Sequence, residues 1–392
     1  MISVDNARDI LNAVIPNEQV ISLPLLQALG YTLAQDIIAC TDIPLFPQSS
    51  MDGYAIAYPA SKEPLEITGK MQAGTSQPQT IMPGQAMRIF TGAPLPDGAD
   101  TVVMQEKVVA QDGYLVINDN TITSGQHVRP RGAEVKKDEL AMEAGTLLSP
   151  AAIGFLAGIG CTEAVVYAPP SVTIILTGDE LQQPGQLLAF GQVYESNSVQ
   201  LTAALQKTGI RTIHTRRARD IDESIYAAIS GALAESELIL VTGGVSVGDY
   251  DLVIPNAEKC RVQPLFHKIK QKPGKPLFFG RKDDKIVFGL PGNPSSVLTC
   301  FYEYVLPLIE RWMHIPHKMR STEATVTHAY QKTKGLTHFI KAVYHDGKVT
   351  PLHAQESFRL HSFATANAFI VLPEDSNGCA AGDIVDTHIL SI

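Results

Sequence analysis

The chain has 392 residues, of which 45% are hydrophobic, and its formal net charge at pH 7 is −9. This length predicts roughly two to four domains, each with its own apolar core, in a soluble globular protein. The negative charge, without any long Lys/Arg-rich stretch, argues against a nucleic-acid partner, and no apolar run approaches the roughly 18 residues of a membrane span.

Cysteine usage and the N-terminus indicate the compartment. The five cysteines are scattered, with no C-x-x-C motif and no histidine at ligand spacing, so they predict reduced thiols rather than a zinc site or a disulfide framework. Asp5, Arg8 and Asp9 interrupt the segment where a signal peptide would be apolar. We therefore expect a cytoplasmic protein.

Residues 1–40 and 141–170 are predicted to form an N-terminal helical, linking region. Apolar residues at helical spacing follow Ser3, a suitable N-cap, and a second helix opens at Ser149 and Pro150. Between the two, residues 41–140 contain short alternating stretches broken by prolines, which indicates a β-rich insertion domain.

Residues 171–316 alternate short apolar runs with helical patterns, which is typical of a parallel sheet with crossover helices. The pattern predicts strands at 172–176, 210–214, 238–241 and 286–290, and helices at 198–207, 222–234 and 295–310. Over residues 317–392 the apolar period changes to two, which predicts a small β-barrel-like C-terminal domain. The fold class is therefore multidomain α/β plus β, with a three-layer α/β domain.

Three loops rich in glycine and charge, at 242–251, 272–276 and 289–294, follow one another in this α/β region. Glycine lets the main chain approach a ligand and point N–H groups at it, as at Gly243 and Gly244, where Ser246 adds a hydroxyl. Lys272 and Lys275 add positive charges that suit phosphate or another oxyanion. The three loops together predict an anion-binding active site.

Asp249 and Asp251 are the metal-binding or acid/base members of this predicted site. A carboxylate beside a polyanion is unfavourable unless a hard cation such as Mg²⁺ lies between them. Each loop alone also fits a structural turn between a strand and a helix, but three within about 55 residues, at the edge where α/β sheets bind ligands, favour a site. Neither the P-loop motif nor G-x-G-x-x-G occurs, which disfavours a P-loop kinase and a dinucleotide dehydrogenase.

Six motifs in order carry a resemblance to a known family. They are PQSSMDGYA (47–55), RIFTGAP (88–94), TGDEL (177–181) and the three loops, which contain TGGVSVGDYD, KPGKP and GLPGNP. Over essentially its whole length the chain resembles the molybdopterin molybdenumtransferase family, which includes the C-terminal enzymatic domain of gephyrin.

The resemblance implies an enzyme of molybdenum cofactor synthesis. It would take adenylylated molybdopterin, cleave its pyrophosphate bond in the presence of Mg²⁺, insert molybdate into the dithiolene and release AMP. It also implies a homodimer with shared active sites, and other cofactor-synthesis proteins as further partners.

The resemblance also assigns roles to residues. The catalytic group is expected to comprise Asp251, Asp52, Thr91, Glu180, Lys272 and Lys275. The substrate-binding group is expected to comprise Thr177, Gly243, Gly244, Ser246, Lys268, Gly292, Asn293, Pro294, Ser296, Arg129, Lys341 and Ser362. Asp251, and after it Asp249, are the expected Mg²⁺ ligands.

Several of these residues have structural alternatives. Asp52 also fits an ordinary turn, Arg129 a solvated charge, and Glu180 a first-turn carboxylate favoured by a helix dipole. Two positions depart from the family pattern, because Glu134 stands where an aspartate is usual and Lys341 where an arginine is common. The lysine cannot bind an oxyanion through two parallel hydrogen bonds as arginine does.

Two other functions remain open at this stage. A non-catalytic scaffold could retain the cofactor pocket for assembly, although the charged residues are all present and no long linker occurs. A molybdopterin adenylyltransferase would have a similar α/β domain, but the blocks around Asp52 and Thr91 and the C-terminal β domain favour the molybdenum-inserting enzyme.

Overall fold

The structure is a computed structural model that describes residues 1–59, 63–245, 252–316 and 320–390. The chain divides into two compact units. The first comprises Met1–Leu23, Ala28–Thr32 and Val165–Ile392, and the second comprises Pro24–Gln27 and Leu33–Ala164. Within the described ranges, no helix is long and apolar enough to cross a membrane.

Helix α1 (Val4–Ala13) opens the first unit and is held at both ends. As predicted, the Ser3 hydroxyl accepts a hydrogen bond from the Asn6 N–H at 3.1 Å and caps the first turn. At the other end, where carbonyl groups lack partners within the helix, the Arg311 guanidinium donates to the main-chain oxygen of Val14 at 2.7 Å.

The second unit is built on a six-stranded sheet with the order β7-β4-β6-β5-β9-β8. The strands of this unit are β2 (Ile37–Ile38), β3 (Gln48–Ser49), β4 (Gly53–Ile56), β5 (Leu65–Met71), β6 (Gln85–Ile89), β7 (Thr101–Met104), β8 (Val108–Gln111), β9 (Tyr114–Ile117), β10 (Val128–Arg129) and β11 (Leu140–Met142), whereas β1 (Val20–Pro24) and β12 (Glu163–Tyr167) lie mostly in the first unit. Adjacent residues on β4 enter different apolar clusters, Ala55 with Met87 and Ile56 with Ala86, because side chains alternate across a strand. Helix α2 (Pro150–Gly158) begins at the predicted cap, where Ser149 accepts from the Ala152 N–H.

The α/β part of the first unit contains a six-stranded sheet with the order β16-β13-β17-β21-β20-β18. In chain order this part contains the six strands of the sheet, the short pair β14-β15 and the short strand β19: β13 (Val172–Thr177), β14 (Leu181–Gln182), β15 (Val193–Tyr194), β16 (Ile213–Ala218), β17 (Leu238–Thr242), β18 (Gln263–His267), β19 (Gln271–Lys272), β20 (Phe278–Lys282) and β21 (Lys285–Leu290). The helices are α3 (Asn197–Lys207), α4 (Asp222–Glu235), α5 (Val253–Lys259), α6 (Pro294–Cys300) and α7 (Leu306–Trp312), with a π-helical segment at Phe301–Val305. Every residue of β13 and β17 is buried, as expected for a parallel sheet covered on both faces.

This sheet differs from the prediction in three respects. Only β16, β13, β17 and β21 are parallel, whereas β18 and β20 are antiparallel and complete one edge. The helix predicted over 295–310 is divided into α6 and α7 by the π-helical segment. The strand predicted at 210–214 lies instead at Ile213–Ala218, because pairing with β13 rather than local hydrophobicity determines its register.

The C-terminal part of the first unit is a closed five-stranded barrel, as predicted. The strands are β22 (Arg320–Val326), β23 (Tyr330–Gln331), β24 (Thr337–His345), β25 (Lys348–Pro351), β26 (Ala368–Leu372), β27 (Gly378–Cys379) and β28 (Ile384–Ile389). The ring closes in the order β24-β25-β22-β28-β26, with β26 pairing back to β24. Strand β19 pairs in parallel with the first residues of β24, so Lys272 lies opposite His338.

A buried charge cluster joins α1, the π-helical segment and the barrel. The Glu303 side chain is fully buried and accepts from the Arg8 guanidinium at 2.7 Å, and the His388 ring lies 3.0 Å from the same carboxylate. Burial by itself lowers the pKa of His388, but its hydrogen bonds to Asp386 and Glu303 outweigh burial and raise that pKa to about 9. His388 is therefore protonated near neutral pH and links the three elements.

We predict that this cluster makes stability depend on pH. Because the folded pKa of His388 lies above the unfolded value of about 6.5, its stabilisation is complete below pH 6.5 and is lost as the pH rises through 9, by up to about 3 kcal/mol at 1.36 kcal/mol per pKa unit. The free energy of urea unfolding should fall over this window in the wild type and fall less in His388→Gln. An exposed control, His214→Gln, should keep the wild-type slope, and equal slopes for all three proteins would contradict the prediction.

Candidate functional site

A cavity of about 820 Å³ opens at the carboxyl edge of the parallel strands. Thr177, Thr242 and Leu290 end β13, β17 and β21, and the strand pairing places these three ends side by side. Of the predicted site residues, the cavity brings together Thr177, Glu180, Gly243, Gly244, Lys272, Lys275, Gly292, Asn293, Pro294 and Ser296. Ser246, Asp249 and Asp251 lie outside the described residues.

The Gly243-Gly244 pair requires glycine for both conformation and space. Their φ angles are 86° and 62°, in the left-handed region that side chains disfavour. A Cβ atom on Gly243 would lie 2.7 Å from Thr177 Oγ1, and one on Gly244 would lie 2.9 Å from a methyl group of Val253. The main chain therefore turns tightly at the end of β17 and forms part of the cavity wall.

The third predicted loop is held by its neighbours. Asn197 donates to the main-chain oxygen of Gly292 at 2.8 Å, which places the loop against the start of α3. From the barrel, the Ser357 hydroxyl accepts from the Asn293 amide at 2.8 Å, and the Ser357 carbonyl accepts from the Ser295 N–H at 3.1 Å. The α/β part and one barrel loop thus share this wall.

Lys272 and Lys275 supply the positive charge of the cavity. Both side chains belong to exposed residues on its wall. Among the described residues, neither ammonium group has an ion-pair or hydrogen-bond partner. Each is therefore available for an anionic ligand.

Two carboxylates supply negative charge to the same cavity. Asp220 faces the cavity together with Glu180, and burial followed by the charges of Glu180 and Asp179 raises the pKa of Asp220. Asp220 was not predicted as a site residue because it belongs to no motif. Its position could have indicated it, because it follows by two residues Ala218, which ends a parallel strand at the same sheet edge.

A hard cation would relieve the mutual repulsion of these carboxylates, and carboxylate oxygens are suitable ligands for Mg²⁺. Among the described residues, no group of three or more His, Cys, Asp or Glu side chains is arranged to hold a metal ion. The predicted ligands Asp249 and Asp251 belong to the part of the chain that is not described.

Three predicted binding residues lie away from the cavity wall. Lys341 is buried in the barrel, and its ammonium group donates to the carbonyls of Ala354 and Arg359 at 2.9 and 3.0 Å. The Ser362 hydroxyl donates to the same two carbonyls. Burial lowers the pKa of Lys341 to about 8. In this structure the side chains of Lys341 and Ser362 both stabilise the barrel loop that carries Ser357. The third residue, Lys268, is half-buried and has a φ angle of 67°.

The second unit holds the remaining predicted residues. Asp52 Oδ1 accepts from the Thr91 N–H at 2.8 Å and from the Thr91 hydroxyl at 2.9 Å, and these hydrogen bonds lower the pKa of Asp52. The Arg88 guanidinium lies 4.9 Å from the centre of the Phe90 ring beside them. Arg129 is exposed on β10. The two predicted catalytic residues of this unit are therefore in direct contact.

Comparison with protein-family models matches nearly the whole chain. The matched families are described as "MoeA N-terminal region (domain I and II)" over residues 2–160, "Probable molybdopterin binding domain" over residues 173–311, and "MoeA C-terminal region (domain IV)" over residues 323–390.

Individual proteins resemble the chain over the same extent. A molybdopterin molybdenumtransferase of Haemophilus influenzae is 32% identical over 98% of this chain and 98% of its own length. The enzyme of that name from Bacillus subtilis is 32% identical over 91% and 87%. The crystal structure of the molybdopterin biosynthesis moeA protein from Pyrococcus horikosii is 28% identical, superposes with a TM-score of 0.84 and covers 99% of both chains.

We predict that Lys272→Ala and Lys275→Ala each weaken the binding of pyrophosphate, the probe anion, by about 1.5 to 3 kcal/mol, the range for a charge-assisted hydrogen bond. Isothermal titration calorimetry measures the loss, which should shrink at high salt because screening weakens the wild-type interaction. Lys348→Ala, an exposed barrel lysine, should bind like the wild type. Normal binding by both cavity variants would show that the loop is only a turn.

Proposed function

Because the chain belongs to the molybdopterin molybdenumtransferase family, we propose that it inserts molybdate into adenylylated molybdopterin, cleaving the pyrophosphate bond and releasing AMP. Molybdate is an oxyanion and the pterin substrate carries a pyrophosphate, so both require localised cations in a chain of net charge −9. The observation that carries the proposal is the cavity that combines Lys272 and Lys275 with the Gly243-Gly244 turn at the sheet edge.

The charges of the cavity residues and of the substrate determine the roles that we propose for them. Lys272 and Lys275 hold the phosphate or molybdate oxygens and stabilise the charge that develops as the P–O bond breaks. The thiolate ligands for molybdenum come from the substrate dithiolene, so no activated cysteine is needed. This agrees with Cys300, the buried thiol nearest the lysine loop among the described cysteines, whose pKa burial raises far above the usual range.

We further propose that Mg²⁺ is required. Glu180 and Asp220 supply hard oxygen ligands beside the lysines, and Asp251 and Asp249 are the further ligands expected from the sequence. The ion would neutralise the phosphate oxygens and reduce their repulsion by these carboxylates.

We also propose that the protein is a cytoplasmic homodimer in which Asp52, Thr91 and Arg129 of one chain complete the cavity of the other. We further propose that it contacts other cofactor-synthesis proteins.

The test supplies adenylylated molybdopterin, molybdate and Mg²⁺ to the purified protein and measures AMP by chromatography. We expect AMP release that depends on the protein and stops when EDTA removes Mg²⁺. A scaffold would bind the substrate without releasing AMP, and an adenylyltransferase would instead consume ATP and molybdopterin and release pyrophosphate. Either outcome would replace the proposed function.

We predict that mixed dimers of two inactive variants regain activity. In a dimer of one Asp52→Ala chain and one Asp251→Ala chain, twofold symmetry gives one composite site both carboxylates and the other site neither. Heterodimers purified through two different tags should therefore release AMP at about half the wild-type rate per dimer. The control is the homodimer of each variant, in which one chain carries each of the two tags and which is purified in the same way. Heterodimers as inactive as their parents would rule out the shared site.

A further inference from the structure

A buried hydrogen-bond network lies beneath the loop that carries the two cavity lysines. Gln271 is fully buried at the start of this loop. Its amide nitrogen donates to the carbonyl oxygens of Pro273 and Gly274, both at 3.1 Å, and lies 3.7 Å from the sulfur of Cys300. One side chain thus satisfies two consecutive carbonyls of the turn between Lys272 and Lys275.

Tyr304 determines the orientation of that amide. Its hydroxyl donates to Gln271 Oε1, so the amide nitrogen must face the turn. Burial raises the pKa of Tyr304 well above its usual value, which keeps this hydroxyl protonated and able to donate. Tyr304 lies in the π-helical segment Phe301–Val305, and such insertions in helices are frequent at functional sites.

The turn has no room for a side chain at Gly274. Gly274 has a φ of 84°, and a Cβ atom there would lie 2.5 Å from the Cys300 sulfur and 2.9 Å from the Gln271 nitrogen. The main chain is also tied at both ends, because the Ile269 N–H donates to the Lys275 oxygen and Lys272 pairs with the barrel strand β24. The position of both lysines therefore depends on the contacts below the turn.

We propose that Gln271 is a positioning residue for anion binding: its amide, oriented by Tyr304, holds the turn so that Lys272 and Lys275 act on one anion. The inference rests on the proposed function for the identity of that anion, a pyrophosphate group. An apolar side chain of the same length would leave the Pro273 carbonyl and the tyrosine hydroxyl without these hydrogen bonds, and would leave the Gly274 carbonyl with only the weak Cys300 thiol donor at 3.8 Å. The turn would then lose its support from below, and Lys272 and Lys275 would no longer be held on one wall of the cavity.

The experiment measures pyrophosphate binding by calorimetry in Gln271→Met, Lys275→Ala and the double variant. Gln271→Met should weaken binding about tenfold. Because Gln271 acts through the lysines, Lys275→Ala should cost about tenfold or more in the wild-type background but less than about threefold in the Gln271→Met background. A purely structural glutamine would leave the effect of Lys275→Ala the same in both backgrounds.

Two further variants separate positioning from stability. Thr173→Val removes another fully buried hydroxyl that bonds to Ser236, outside the cavity, and should bind pyrophosphate normally even where it lowers the melting temperature. Tyr304→Phe keeps the ring and should weaken binding about threefold, with the same reduced effect of Lys275→Ala, so it provides the measurement if Gln271→Met folds poorly.

The outcomes distinguish this inference from the proposed function. Wild-type affinity in Gln271→Met and Tyr304→Phe, equal effects of Lys275→Ala in both backgrounds, or absence of pyrophosphate binding by the wild type would each overturn the positioning role. The AMP-release assay judges the proposed function independently. A protein that showed the coupled binding loss but released no AMP would retain the positioning role and lose the proposed reaction.

Discussion

The alignment of parallel strand ends is the constraint on which the rest of the site depends. Thr177, Thr242 and Leu290 end β13, β17 and β21 within one residue of the same register, and a sheet buried on both faces permits no slip of one strand against another without exposing apolar side chains. The loops that follow must therefore open at one edge. Residues more than 100 positions apart in sequence meet there because the core determines where the loops begin.

The sequence predicted the parts of the site that carry their own local signal. Gly243, Gly244, Lys272 and Lys275 stand in loops whose combination of glycine with charged residues is typical of anion binding, and the structure places them on one cavity. Asp220 and Ser357 carry no such signal. An aspartate after a strand and a serine in a long barrel loop are ordinary locally, and only the tertiary arrangement of sheet and barrel brings them to the cavity.

The same reasoning explains the errors in the fold. The helix expected over 295–310 has continuous helical character, and the π-helical insertion depends on where Glu303 and Tyr304 find partners in other elements. The antiparallel strands β18 and β20 contain a proline and a glycine, respectively, beside only a few apolar residues, so the apolar pattern did not predict them as strands. Ser362 matches a family position and Lys341 stands where an arginine is common, yet the side chains of both donate to carbonyls of a barrel loop in this structure.

The pairing of Lys272 with His338 joins β19 of the α/β segment to β24 of the barrel, so the two segments are not separate structural modules. The family models divide the chain between residues 311 and 323. The physical unit does not end there, because a lysine of the cavity lies within the hydrogen-bonded edge of the barrel. An α/β segment inherited alone would lack the strand against which this lysine is aligned. The barrel strand β24 is therefore part of what holds Lys272 in place, and at the cavity the α/β segment and the barrel form one structural unit.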